Sequence, residues 1–371
     1  MPTMTKSVPN SPKSLLLLSR LLLPSRSGGA SLQTTPEIVS ELTSLSREEF
    51  DELLRLANSN HVVVRAFDVA AAVFREAKDQ TRLEWVETAL HAERARIQSA
   101  LPFLYAICEA FREEGLDITV IKSLDHWPDL GSDLDLYSGG DPDRIVQLMK
   151  ARFQAHTEAR SWGDRLAGKW NFKIPGLNES VEIHIGRLGQ TGEQLTLAAR
   201  VPQRARSFRI EDWTFSVPSA SERLMISTLQ RMYRHFYFRL CDVIDSTRLV
   251  DAGEVDFEDL RASAEACGIW EGVAAYMVIV SDYVQGYRGA GLNLPQFVRS
   301  AARFGGEQIY FARDFLRVPI MPQSASLYKT QLTGLIRKRK LHSSARLGLL
   351  PWLATAAAVG QKITGSDKGI W

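Results

Sequence analysis

Hydrophobic residues recur at helical spacing through the first third of the chain. Phe50, Leu53, Leu54 and Ala57 follow Ser46-Arg-Glu-Glu49, a serine with a glutamate three residues on, which is the pairing that caps a helix N-terminus. From about 81 to 112 the spacing is sustained by Trp85, Leu90, Ile97, Leu101, Leu104, Ile107 and Phe111, and Gly115 is placed to stop the helix. The period then shortens to two. Residues 117–121 are rich in β-branched side chains, 133–137 alternate polar and apolar up to Gly139-Gly140, and 169–174 and 180–185 alternate again. Residues 208–217 predict one further strand. Between them Asp141-Pro-Asp143 opens a helix with proline first, and Ile145, Val146 and Met149 form its inner face. Helical spacing returns at Ser219-Ala-Ser-Glu222, a second capping pair, and predicts helices over 224–250, 257–266 (ended by Gly268) and 270–287. The pattern therefore predicts a helical region over 1–113, a compact α/β unit over 114–217, a helical bundle over 218–328 and a distinct tail over 329–371.

The two ends carry apolar runs of a different kind. Lys6 and Lys13 precede Leu15 to Leu18, but Arg20 splits that run from Leu21 to Leu23 and no small-residue cleavage site comes after it, so an amphipathic helix is expected rather than a leader. Residues 347–360 are apolar yet short of the roughly 20 needed to span a bilayer, so no transmembrane span is expected. The basic run Arg337-Lys-Arg-Lys340 before them reads as a solvated face. With Leu349 and Trp352 beyond it, the tail could instead make weak peripheral contact with an anionic membrane surface.

Composition narrows the classes. A formal net charge of +2 over 371 residues excludes a polycation that coats nucleic acid, and no local patch gives a strong nucleic-acid signal. Cys108, Cys241 and Cys267 form no C-x-x-C pair, which leaves them as small hydrophobes in a reducing, cytoplasmic setting.

The chemistry concentrates in Gly131-Ser-Asp-Leu-Asp-Leu136. Alternation sends the Asp133 and Asp135 carboxylates to one face of a strand while Leu134 and Leu136 face the core. Anions that close repel, and a divalent cation between them removes the conflict. Oxygen-only ligands favour magnesium, with manganese as the second choice. Glu182, in Val181-Glu-Ile-His-Ile185, is the candidate third ligand if its strand neighbours the first. Two metals could then activate a hydroxyl and stabilise a leaving pyrophosphate, with Glu182 accepting the hydroxyl proton. Lys122 and Ser123, ten residues before the acidic pair, are candidates for phosphate contact at a strand-to-helix turn, Ser123 as a donor and Lys122 as a cation. Ser132 and His184 join them as candidate nucleotide-binding residues, although His184 could equally bond a neighbour to brace the sheet. Asp133 and Asp135 have a plainer alternative too, a strand-end pair facing solvent.

Ile121-Lys-Ser, nine intervening residues and Asp133-Leu-Asp-Leu136 together resemble the motif of the DNA polymerase beta-type nucleotidyltransferase superfamily. More closely, Lys122-Ser123, Asp133 to Leu136, Glu182-Ile-His184 and the run from His235 to Asp242 resemble a bacterial group of uncharacterised nucleotidyltransferases, over roughly residues 35 to 290. The resemblance implies an α+β fold, a mixed α/β core with a small mixed sheet flanked by N-terminal and C-terminal helical regions. It also implies magnesium-dependent transfer of a nucleoside monophosphate from a nucleoside triphosphate to an unidentified acceptor, with metal ligands Asp133, Asp135 and Glu182. Ser123 stands where that group has glycine, and Lys122 where the wider superfamily has it; side chains there would crowd a triphosphate. That departure leaves open a catalytically silent relative that binds nucleotide or a partner. A membrane-surface adaptor working through the tail is a further alternative. His235 and Asp242, seven apart, are expected on one face of one helix, where a polar bridge between bundle and core accounts for them.

Overall fold

The computed structural model describes residues 8, 9, 11–24, 35–189 and 193–364, with 162, 193, 194 and 353–364 described by backbone alone. Lys6, part of the expected N-terminal pattern, lies outside the described residues, as do the side chains of the apolar tail beyond Trp352.

Five helices precede the sheet: α1 Lys13–Leu22, α2 Pro36–Thr43, α3 Arg47–Ser59, α4 Val63–Ala77 and α5 Gln80–Glu113. The expected amphipathic helix is α1. Leu15, Leu17, Leu18 and Leu21 are buried, while Arg20 points outward and pairs with Glu41 at 2.7 Å. At α3 both halves of the capping box form: the Ser46 hydroxyl accepts from the Glu49 backbone, and the Glu49 carboxylate accepts from the Ser46 N–H. Gly115 ends α5 with φ +65°, and Leu116 N–H closes back on Phe111 O at 2.8 Å.

The strand-forming region builds a five-stranded mixed sheet. Its strands are β1 Thr119–Val120, β2 Asp133–Ser138, β3 His156–Thr157, β4 Lys169–Lys173 and β5 Ser180–Ile185, in spatial order β1-β2-β5-β4-β3. Only β2 and β5 run parallel; the other pairs are antiparallel. A parallel pair needs a crossover, supplied here by α6 Pro142–Phe153, β3, the short α7 Trp162–Leu166 and β4. Leu134, Leu136, Val181 and Ile183 are fully buried on one face, which leaves the other for the acids. The fold is thus α+β with a small mixed sheet between helical segments.

Three expectations are corrected. Residues 208–217 are not one strand but part of a hairpin, β6 Arg206–Ile210 and β7 Trp213–Val217, because the two-residue turn Glu211-Asp212 interrupts the alternation, with Glu211 at φ +51°. A helix α8 Glu193–Gln203 precedes it. The second capping pair does not cap. The Ser219 hydroxyl donates to the Glu222 carboxylate instead of accepting from its backbone, because that carboxylate is fully buried and draws donors, Arg200 at 3.2 Å and Arg204 at 3.5 Å among them.

The third correction is the long helix over 224–250, which is broken. α9 Ala220–Thr228 runs into a π-helical turn, Leu229–Arg234, then β8 Tyr237–Phe238, and only then α10 Leu240–Asp251. Distant partners impose the break. β8 pairs with β10 Phe315–Arg317, itself paired with β9 Tyr310–Ala312; Val318 N–H donates to Phe236 O at 2.9 Å, and Asn60 Oδ1 caps α10 by accepting from Leu240 N–H at 2.9 Å. Phe236 takes φ +56° to make the corner. The bundle continues through α11 Phe257–Cys267, ended by Gly268 in the left-handed region, α12 Trp270–Arg288 and α13 Gln296–Ala301. The tail folds as α14 Ala325–Arg337 and α15 Leu341–Thr364, with Arg337 to Lys340 exposed between them. No helix among the described residues is long and apolar enough to cross a membrane.

Candidate active site

The site begins where β1 ends. Ile121 N–H still bonds Asp135 O at 2.9 Å, but at Lys122 the chain reverses with φ +62° and ψ −56°, and Ser123 N–H returns to Ile121 O at 2.6 Å. This is a γ-turn of the strained hand, a conformation costing a residue with a Cβ about 1–2 kcal/mol. The turn is pinned through Ser123, whose hydroxyl accepts from Asp135 N–H at 2.7 Å and donates to Asp133 O at 3.0 Å. Ser123 is 1 % exposed. Its hydroxyl is therefore spent on the neighbouring strand, which corrects its expected role as a phosphate donor. After the reversal the chain makes a single 3-10 turn, Ser123–His126, rather than a helix long enough to develop a dipole.

A buried ionic network that the pattern of the chain did not disclose holds the loop from below. Asp125 meets Arg223 at 2.7 Å, His126 Nδ1 meets Asp245 at 2.5 Å, and Arg65 bridges Asp129 at 2.8 Å and Asp245 at 2.6 Å. Asp129 also accepts from Val64 N–H at 2.6 Å. These contacts tie the loop to α4 and α10.

Above the loop Asp135 and Glu182 converge with His184, while Asp133 lies on the same face outside that group. Asp135 and Glu182 are register partners on the parallel pair β2 and β5, so their carboxylates leave the same face side by side. Asp133 lies one step nearer the strand start, opposite Ser180, with the Ser132 hydroxyl 3.4 Å from its Oδ2. His184, next along β5, donates from Nε2 to Glu182 Oε1, 2.9 Å away. Ligand atoms of Asp135, Glu182 and His184 all fall within 4.8 Å of one another. Two ammonium groups share the site. Lys122 Nζ contacts Asp135 Oδ1 and stands 3.6 Å from Glu182; Lys169 Nζ, unforeseen from the sequence, lies 2.8 Å from Glu182 and 3.1 Å from Asp164. Lys169 reaches it because β4 places it beside His184, a neighbour relation that only strand order reveals.

Charge in this enclosed place moves the titrations apart. Burial and the adjacent Glu182 charge push the Asp135 carboxyl up to about 7, with Lys122 offsetting only part. Burial also opposes ionisation of Glu182, yet Lys122, the His184 hydrogen bond and Lys169 together hold it well below the usual carboxylate range. Asp133 is raised by burial and by Glu182, and burial lowers His184 so that its ring is neutral. Neutral imidazole facing a carboxylate carries its proton on Nε2, leaving a lone pair at Nδ1.

His235 and Asp242 do not share a helix face. Asp242 starts α10, where it accepts from Arg239 N–H at 2.7 Å and pairs with Arg231 at 2.7 Å. His235 ends the π turn with its ring against Tyr237.

No protein-family profile matches the chain, and no curated protein matches it. Among solved structures, an antigenic nucleotidyltransferase-like protein from Paracoccidioides brasiliensis is similar at 13% identity and a TM-score of 0.30, over 45% of this chain and 86% of that chain. A likeness this distant decides nothing about activity, which has to be read from the side chains.

Proposed function

We propose that the chain is a nucleotidyltransferase that moves a nucleoside monophosphate from a nucleoside triphosphate to an acceptor hydroxyl. The observation that carries this reading is the pairing of Asp135 with Glu182 across two parallel strands, with Asp133 on the same face two residues away. The donor set suits a hard divalent cation. Three carboxylates face two ammonium groups and a neutral imidazole, so negative charge is left over. Asp133, Asp135 and Glu182 would hold magnesium, or manganese, which would supply charge neutralisation at the reacting phosphate.

The remaining roles belong to the chain's own groups. Lys122 and Lys169 offset phosphate charge from fixed positions beside the acids. Glu182, held ionised, accepts the acceptor's hydroxyl proton. The acceptor oxygen forms its bond to the α-phosphorus as the bond from that phosphorus to the α–β bridging oxygen breaks, and pyrophosphate leaves with the electron pair. His184 holds Glu182 in place through Nε2.

One observation favours a second reading. Lys122 already puts a tethered cation on Asp135, from a strained turn where glycine would be at ease, as a silent nucleotide-binding relative would tolerate. Titration calorimetry with Mg-ATP beside a pyrophosphate-release assay separates the two. Release by the wild type that drops at least a thousandfold in Asp135→Asn supports transfer. Binding of Mg-ATP with no release, across a panel of alcohols, sugars and nucleic-acid ends as acceptors, supports the silent reading.

A further inference from the structure

The last two helices carry charge and apolar surface that the rest of the molecule leaves uncovered. From Phe315 to Thr364 the chain has eight lysines and arginines and no aspartate or glutamate, although its net charge as a whole is only +2, so the remainder is net acidic. Four of the eight, Arg337 to Lys340, are consecutive and exposed where α14 joins α15. Among the described residues none of the four has an ion-pair partner; Lys338 Nζ donates to a backbone carbonyl, Glu265 O at 3.3 Å. The segment itself is held in place. The Tyr328 hydroxyl donates to Leu347 O at 2.8 Å and Arg346 donates to Leu166 O at 2.7 Å. Leu347 and Leu350 turn inward and wall an apolar cavity of about 500 Å³ together with Leu188, Leu197 and Met232.

The outer side of α15 is apolar too. Leu341, Ala345, Leu349 and Trp352 follow one another at intervals of four, four and three residues, which at about 3.6 residues per turn sets them in one stripe. All four face solvent: Leu341 is 77 % exposed, Leu349 57 % and Trp352 75 %. Apolar side chains scattered singly over a surface are ordinary, but a stripe on a helix whose other side is already buried calls for a partner of low polarity. The cations beside it call for a partner that is also anionic. A nucleic acid would meet the charge and leave the leucines in water. A second copy packed on the same face would bring its own four cations to the same interface. An anionic bilayer meets both needs, with acyl chains for the stripe and acidic headgroups for the cations, and tryptophan is enriched at that boundary. We propose that the chain docks on an anionic lipid surface through α15, the stripe from Leu341 to Trp352 entering the headgroup layer and Arg337 to Lys340 meeting acidic headgroups. The helix lies on the bilayer, since no described helix is long and apolar enough to cross one. This goes beyond the transferase reading and does not depend on it.

The probes are phosphatidylcholine vesicles with and without phosphatidylserine, sedimented with the full chain in the absence of nucleotide and metal. At about 0.1 M salt the chain should bind the phosphatidylserine vesicles roughly a hundredfold more tightly than the neutral ones, each cation near the surface being worth about fivefold. Arg337→Gln, Lys338→Gln, Arg339→Gln and Lys340→Gln together should remove that preference. Leu341→Ser, Leu349→Ser and Trp352→Ser together should weaken binding by roughly tenfold or more. All these side chains are exposed, and circular dichroism checks that each variant keeps its fold. Brominated lipid should quench the tryptophan emission of the wild type more than that of Trp352→Phe, a difference that adsorption by charge alone would not give. Equal binding to both kinds of vesicle, binding to neither, or quenching that Trp352→Phe leaves unchanged overturns the proposal. Without vesicle binding, a duplex oligonucleotide that the glutamine variant releases and the serine variant keeps would give the basic run to nucleic acid. A dimer that the serine variant splits in sedimentation velocity, again without vesicle binding, would give the stripe to a second copy; either result overturns the lipid reading. No step uses nucleotide, so failure of the transferase reading leaves this outcome untouched.

Discussion

At the residue scale the decisive side chain is Lys122. Its backbone is strained and its ammonium sits where a divalent ion would balance Asp135 and Glu182. Lys122→Met should destabilise the metal-free protein by about 3–5 kcal/mol, because it leaves buried carboxylates facing each other with one cation fewer. Magnesium should then restore most of the loss, so the rise in melting temperature on adding it should be larger for the variant than for the wild type. Equal rises would show that the lysine and the metal do not compete for one place. His61 offers a pH test. Burial, with Arg239 and His126 nearby, pushes its imidazole down to about 2, far below the 6.5 of the unfolded chain. The unfolded state therefore binds the extra proton first, so the stability this neutral ring represents is complete above pH 6.5 and is lost as pH falls below it. The slope is up to about 1.4 kcal/mol per pH unit. Melting temperatures from pH 7.5 to pH 5 should fall less steeply in His61→Asn, asparagine being tolerant of the positive φ at this position.

At the scale of elements, the loop from Lys122 to Asp129 is held less by its own turn than by the side chains beneath it. Arg65 alone joins it to both α4 and α10. Arg65→Met would bury Asp129 without its cation and leave Asp245 with His126 alone, and urea denaturation should show a loss of about 3–5 kcal/mol. Any pyrophosphate release should fall with it, since the same loop carries Lys122 and Ser123. An unchanged denaturation midpoint would mean that His126 and the backbone donors suffice. The break between α9 and α10 belongs to this scale as well. Leu229 to Val250 have a helix-compatible pattern, yet pairing of Tyr237-Phe238 with β10 and capping by Asn60 override it, because those hydrogen bonds together outweigh a few tenths of a kcal/mol per residue of helix propensity.

At the scale of the whole molecule, the two ends of the chain meet the middle. α1 is buried against α3 and α4, and the Ser19 hydroxyl lies 2.7 Å from that of Tyr283 in α12, so the first helix and the late bundle share one hydrophobic core. Leu18→Ala should cost about 2–5 kcal/mol. Unfolding should remain a single transition when followed by far-ultraviolet circular dichroism and by tryptophan fluorescence; a separate early phase would show that α1 melts on its own. The parts of this protein legible in the sequence are those governed by short-range rules: the α5 stop at Gly115, the Ser46 capping box, the alternation that puts Asp133 and Asp135 on one face, and Glu182 on a strand of its own. Tertiary structure alone decided the rest. Strand order made Asp135 and Glu182 neighbours and brought Lys169 to the acids, while distant contacts turned Ser123 inward and closed a cavity with helices more than a hundred residues further along. Alternation along a strand is fixed by backbone geometry over two residues, whereas adjacency between strands depends on which surfaces bury most together, a sum over the whole chain that no local stretch contains.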